Sequence, residues 1–321
     1  MTWRVSEWKS HIMQFPLTRT RRYALVLVAV LILAAAGWLG LKTRAEAHRL
    51  ITNPRETRLM PRETPGDRGL AFEDVSVRTS DGLKLVGWFL PSPGQPTIVV
   101  QHGYKDSRGT MLGVAAMLRR QGYGVLVPTV RAHDSSDGEV VGLGSREMDD
   151  LAAWWRWLVA RADVDPLRVG IFGVSMGGSL VLQYAAQNQQ LRAVVADCAF
   201  SSITDTVETS VRFFTGLPPF PFAPLILFWV ERELGVDASS IDAKQWVGRI
   251  SPRPVFLLQG GADVVVSPES GARLFEAARE PKELWVEPEL GHAQFLEKRP
   301  AEFERRVTAF YDKYLRRYVK Q

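Results

Sequence analysis

From residue 75 onward the sequence alternates short apolar runs with stretches of helical spacing, and this alternation limits the fold more than any other feature. "VSVRTSDGLKLVGWFLP" (75–91) reads as two strands about the Asp81-Gly82 turn. Further strands are expected at 97–103, 122–130, 168–174, 193–200, 254–260 and 282–287. Between them lie helical stretches at about 107–121, 145–162 and 176–189. Another is opened by Ser267-Pro268-Glu269, and the last spans about 296–317. In 145–162 the apolar positions 148, 151, 154, 155 and 158 share one face, so Trp154 and Trp155 are expected in the core. Eight strands separated by helices predict an α/β fold: a mostly parallel eight-stranded sheet with helices on both faces. In such sheets ligands sit beyond the carboxyl ends of the strands.

That rule directs attention to the loops. "GIFGVSMGGSL" (170–180) places Ser175 just past a strand end, among Gly173, Gly177 and Gly178. Such a cluster marks a backbone that bends sharply or packs closely. It suits either an ordinary strand-to-helix turn or a nucleophile at the tip of a strained one. A serine hydroxyl needs an adjacent base. His292 follows the strand ending at 287 and Asp263 the strand ending at 260, giving the chain order Ser175, Asp263, His292 expected for a nucleophile elbow on this kind of sheet. His292 and Asp263 can each also be read as turn residues. Asp197, near another strand end, is the second candidate for the acid. Among the other histidines, His11 and His48 lie near or before the apolar segment. His102 and His133 lie in other loops, with His102 better suited to support than to proton transfer. The developing oxyanion needs backbone N–H donors; Met176, after the serine, and Tyr104, after "VVQHG", are the candidates, with Gly103 permitting close approach.

Together "QHGY", "RAHDSSDG", "GVSMGG", "GGADVVV" and "GHAQF" resemble the α/β-hydrolase superfamily, and within it the single-domain serine hydrolases of the prolyl-oligopeptidase-like and aminopeptidase-like group. The resemblance covers about residues 71–321. It implies Ser175 as nucleophile, His292 as base, Asp263 as acid, and Tyr104 and Met176 as oxyanion donors. Relatives often carry Arg-Gly-x-Gly where this chain has Arg131-Ala132-His133-Asp134, a departure that bears on subfamily rather than on catalysis.

Residues 23–41, "YALVLVAVLILAAAGWLGL", carry no charge over about the length that spans a bilayer as a helix. Arg19, Arg21 and Arg22 precede it, Lys42 and Arg44 follow, and Tyr23 and Trp38 sit near its ends. The reading adopted is an uncleaved single-pass anchor. The alternatives are a signal peptide cleaved near Ala34-Ala35-Ala36 and a buried core helix. The arginine cluster favours an inside N-terminus, which puts the main domain outside the cytoplasm. The expected organisation is a basic tail (1–22), the anchor (23–41), an Arg-, Thr- and Pro-rich linker (42–70) and the hydrolase domain (71–321). Residues 1–70 hold 12 Lys/Arg against 5 Asp/Glu, and the rest holds 28 against 30. The excess positive charge therefore lies outside the domain, which argues against a nucleic-acid partner. Cys198 stands alone in an apolar run, so no intramolecular disulfide forms. No Cys/His cluster has metal-ligand spacing, and no cofactor is expected.

Between about 201 and 250 the alternation breaks. "VRFFTGLPPFPFAPLILFWVERELG" is apolar and aromatic, yet its prolines rule out a second spanning helix. This is where the fold carries its cap, which either packs on the domain or walls an acyl site. The function expected is a membrane-anchored serine hydrolase of hydrophobic carboxylic esters or thioesters, with a lipid-like or other small-molecule substrate. A peptidase with the same machinery, or a membrane-bound binding module without catalysis, is the competing expectation. Oligomeric state is left open.

Overall fold

The computed structural model describes residues 19–316; the basic tail up to residue 18, with His11, lies outside the described residues. Contacts divide the chain into two units at Thr43/Arg44. The described part of the first unit is wholly helical, the opening of α1 (Arg19–Ile51). It is long and apolar enough to cross a membrane, and its large side chains are exposed, Leu27 at 59% and Leu33 at 71%. A signal sequence has the same character.

The second unit contains one eight-stranded sheet: β1 (Glu73–Arg78), β2 (Lys84–Leu90), β3 (Thr97–Gln101), β4 (Gly124–Pro128), β5 (Val169–Val174), β6 (Ala193–Asp197), β7 (Val255–Gly260) and β8 (Lys282–Glu287). Their spatial order is β1-β2-β4-β3-β5-β6-β7-β8. β1–β2 and β2–β4 pair antiparallel and all other neighbours parallel. Successive strand residues point to opposite faces. Accordingly Ile98, Val100, Phe172, Val174, Phe256 and Leu258 enter one core and Val99, Ile171 and Leu257 the other. The first core is closed by α2 (Leu112–Arg120), α9 (Phe295–Lys298) and α10 (Pro300–Tyr311). The second is closed by α3 (Glu147–Val159), α4 (Met176–Gln187) and α8 (Ser270–Ala277).

Several boundaries differ from the sequence reading for local reasons. The strand begun at Ala193 ends at Asp197, because Cys198 turns to φ 48°. The last helix is interrupted before Pro300, whose ring restricts the preceding residue. The helix expected from Ser267 begins at Ser270 with no side-chain cap. Trp154 and Trp155 are buried, as their helical spacing requires.

The cap contains α5 (Ile203–Thr215), α6 (Pro219–Leu234) and α7 (Ala243–Trp246). Ser202 caps α5 by accepting from Asp205 N–H, and Gly216 ends it at φ 69°. α5 and α6 are bent by 112° from one another. The stretch read as a linker from its polar composition carries α1 on to Ile51 and buries Ala47, Ile51, Asn53 and Arg58 in the second unit. Arg58 donates to the carbonyls of Asn53 at 2.8 Å and Ser136 at 2.6 Å.

Candidate active site

Ser175 joins β5 to α4 at φ 57°, ψ −125°, a conformation L residues rarely hold and one that costs on the order of 1–3 kcal/mol. Its N–H donates to the Asp197 carbonyl at 2.8 Å, and its own carbonyl accepts from Ser179 N–H at 3.1 Å. The flanking glycines make room for this turn. A Cβ on Gly173 would overlap the Gly177 carbonyl, and one on Gly177 would overlap the His102 carbonyl and meet the Gln101 carbonyl at 2.7 Å. Across the turn Gly103 is packed less tightly: a Cβ there would lie 3.3 Å from Ser175 Cβ.

The loops after β7 and β8 bring two distant side chains to this serine. The Ser175 hydroxyl donates to His292 Nε2 at 2.8 Å, and His292 Nδ1–H donates to Asp263 Oδ2 at 2.7 Å. Asp263 is buried, and its Oδ1 accepts from Val265 and Val266 N–H, each at 2.9 Å. Both backbone partners of Asp263 are donors, which suits a carboxylate, and with His292 Nδ1–H turned to Oδ2 the Nε2 atom is the acceptor facing the hydroxyl. Asp197, the other acid considered, makes no hydrogen bond to His292. Burial pushes its carboxyl up to about 7, and Oδ1 has no hydrogen-bond partner among the described residues.

No hydrogen bond among the described residues takes the backbone N–H of Met176 or Tyr104, and both residues line the cavity in front of Ser175. The Tyr104 loop rests on two buried imidazoles whose rings are 4.7 Å apart. Burial lowers the pKa of both, which keeps them neutral. His102 Nδ1–H donates to the Gly103 carbonyl at 2.8 Å. His133 Nδ1–H donates to the Arg131 carbonyl at 2.7 Å, freeing Nε2 to accept from Lys105 N–H at 2.9 Å. The sequence reading gave His102 a supporting place but missed His133. The "RAHD" loop that carries it is pinned by Arg131, which donates to Asp150 Oδ1 at 2.7 Å. Within that loop Ala132 holds φ 59°, the backbone a glycine adopts without cost.

The cavity measures about 510 Å³. Ser175 and His292 lie on it, and Ile203, Val207 and Val211 of α5 give it an apolar wall. Glu46, Arg49 and Leu50, which fell in the presumed linker, also line it. Only their position in the fold reveals that.

Fold and site together define a serine hydrolase of the α/β-hydrolase superfamily. A family model described as "Prolyl oligopeptidase family" matches residues 114–317, and the chain belongs to that family. An uncharacterised protein of Mycobacterium tuberculosis is 30% identical over 226 residues, 69% of this chain and 73% of that one. A polyketide transferase of Stachybotrys chlorohalonatus is 26% identical over 294 residues, 74% of this chain and 98% of that one. Among solved structures, an esterase of Pyrococcus furiosus superposes with a TM-score of 0.69 at 26% identity, covering 83% of this chain and 98% of that one.

Proposed function

We propose that the chain is a membrane-anchored hydrolase of carboxylic esters or thioesters with hydrophobic acyl groups, acting through an acyl-enzyme on Ser175. The observation that carries this is the unbroken relay from Ser175 Oγ through His292 to Asp263, facing an apolar cavity. In the first step Oγ attacks the acyl carbon while His292 Nε2 takes the hydroxyl proton. The tetrahedral oxyanion is met by the N–H groups of Met176 and Tyr104. Collapse expels the alcohol or thiol, which receives the proton from His292. Water, deprotonated by the same imidazole, then releases the acid and restores Ser175. Asp263 stays ionised and holds the tautomer.

The segment 23–41 serves as an uncleaved anchor in this reading, with the arginines before it on the cytoplasmic side and the catalytic unit on the other. Substrate chemistry is argued from the wall of α5 and supported by the esterase likeness. The family match favours a peptidase as the second reading.

A fluorophosphonate probe tests the nucleophile: folded wild type should label and Ser175→Ala should not. Comparing p-nitrophenyl esters of two to ten carbons with a proline p-nitroanilide separates the two readings. Preference for long acyl esters supports the first, and turnover of the anilide alone supports the second.

A further inference from the structure

A helix leaves its last four carbonyls without intrahelical partners. In α1, which ends at Ile51, these belong to His48, Arg49, Leu50 and Ile51. Each is matched by a separate donor. Thr52 Oγ1–H donates to the His48 carbonyl at 2.7 Å, and Val141 N–H donates to that of Ile51 at 2.7 Å. The middle two are taken by adjacent side chains of the loop after β3. Lys105 Nζ–H donates to the Arg49 carbonyl at 2.7 Å, and the Tyr104 hydroxyl donates to the Leu50 carbonyl at 2.5 Å. Burial raises the Tyr104 phenol well above its ordinary pKa, so it stays a donor. Burial, and then Arg49, lower the half-buried Lys105. The loop that closes this helix end is the one that carries Tyr104, which lines the cavity beside Ser175. Its backbone is not relaxed: Lys105 sits at φ 51°, a conformation that persists only where surroundings impose it. His133 grips it on one side and the end of α1 on the other.

We propose that the C-terminal turn of α1, residues 46–51, positions the oxyanion loop and forms one wall of the substrate cavity. The Tyr104 hydroxyl and Lys105 ammonium act through the backbone, by fixing the direction of the Tyr104 amide; both are positioning residues in that role. This rests on the serine hydrolase reading above. It means the catalytic unit is incomplete without residues 46–51, although all five motifs that announce a hydrolase lie beyond residue 100.

The test uses the full chain in detergent with p-nitrophenyl butyrate as substrate and Ser175→Ala as the blank. Tyr104→Phe keeps the ring and the amide and removes only the hydroxyl. Because a misdirected donor forfeits part of what a lost one does, kcat of the folded protein should fall about tenfold with KM within about twofold, alongside a modest drop in thermal midpoint as the Leu50 carbonyl loses its donor. Lys105→Met should lower kcat about threefold, and the double variant should lose more than either. The fluorophosphonate labelling rate should fall in parallel with kcat. A merely structural contact would lower the thermal midpoint and leave kcat of the folded fraction alone. The proposal is overturned if Tyr104→Phe and the double variant, folded, keep kcat within about twofold of wild type, or if the whole loss falls in KM. Should Tyr104→Phe fail to fold, Lys105→Met decides by the same criterion. A wild type that neither turns over nor labels sinks the hydrolase reading itself, whereas an active wild type with unaffected variants sinks only the positioning role.

Discussion

Replacing Asp263 by asparagine changes one atom and should remove almost all activity. Asp263 Oδ1 accepts two backbone N–H groups, from Val265 and Val266, each at 2.9 Å. In the variant those two donors hold the amide oxygen in the Oδ1 position. The amide nitrogen must then occupy the Oδ2 position, 2.7 Å from His292 Nδ1, with its hydrogens toward the ring. Nδ1 becomes the acceptor, so the ring proton moves to Nε2, 2.8 Å from the Ser175 hydroxyl. A protonated Nε2 cannot take the serine proton. The wrong tautomer in a Ser-His-Asp relay costs about 10⁴ in kcat, or roughly 5.5 kcal/mol of transition-state stabilisation. The assay is steady-state hydrolysis of p-nitrophenyl butyrate, with thermal melts to confirm the fold. Folded Asp263→Asn with kcat within about tenfold of wild type would refute the reasoning and point to another acid.

Three further outcomes follow from the same packing and burial. Gly177→Ala drives a methyl into the His102 carbonyl; thermal or urea unfolding should show a loss of at least about 3 kcal/mol, or no soluble protein, and near-wild-type stability would contradict the packing described. Asp197 is fully buried with its pKa raised to about 7, so wild-type stability should decline as pH rises from about 4 to 7. Asp197→Asn should remove this decline, gaining on the order of a few kcal/mol at pH 8 relative to pH 4.5 in urea midpoints, and parallel midpoints at both pH values would discount the shift. Val207→Trp fills the wall of α5; excluding two methylenes at about 0.8 kcal/mol each should cut kcat/KM for an octanoyl ester about fifteenfold while sparing the acetyl ester. An equal loss on both esters would mean that the acyl chain lies elsewhere.

What the sequence revealed and what it concealed divides along range. Strands β3 to β7 were legible because each buries both faces in contiguous apolar runs, as at "PVFLLQG", which supplies β7 (Val255–Gly260). Ser175, Asp263 and His292 were legible because the topology places strand ends at one rim, so chain order stands in for proximity. The end of α1 was not. Arg58 reads as a linker arginine until the Ser136 carbonyl, 78 residues away, is seen to accept from it. Tyr104 and Lys105 likewise carry no local mark of their bonds to Leu50 and Arg49. His133 was passed over because an imidazole that accepts a backbone N–H has no sequence pattern. The cap was recognised as an interruption, but not as helices. Its prolines discouraged helix, yet α6 kinks at non-helical Phe220 (φ −97°, ψ 135°), and Pro221 and Pro224 fall among the first four residues after the kink, where no intrahelical donor is needed.

The most direct measurement is the mass of the enzyme caught during turnover. Rapid acid quench of the full chain with excess p-nitrophenyl butyrate, followed by trypsin digestion and mass spectrometry, should find one butyryl group on the peptide from Val169 to Arg192, located at Ser175. His292→Ala should not accumulate it. A butyryl group on any other side chain, or active enzyme that never carries one, would contradict nucleophilic catalysis by this serine.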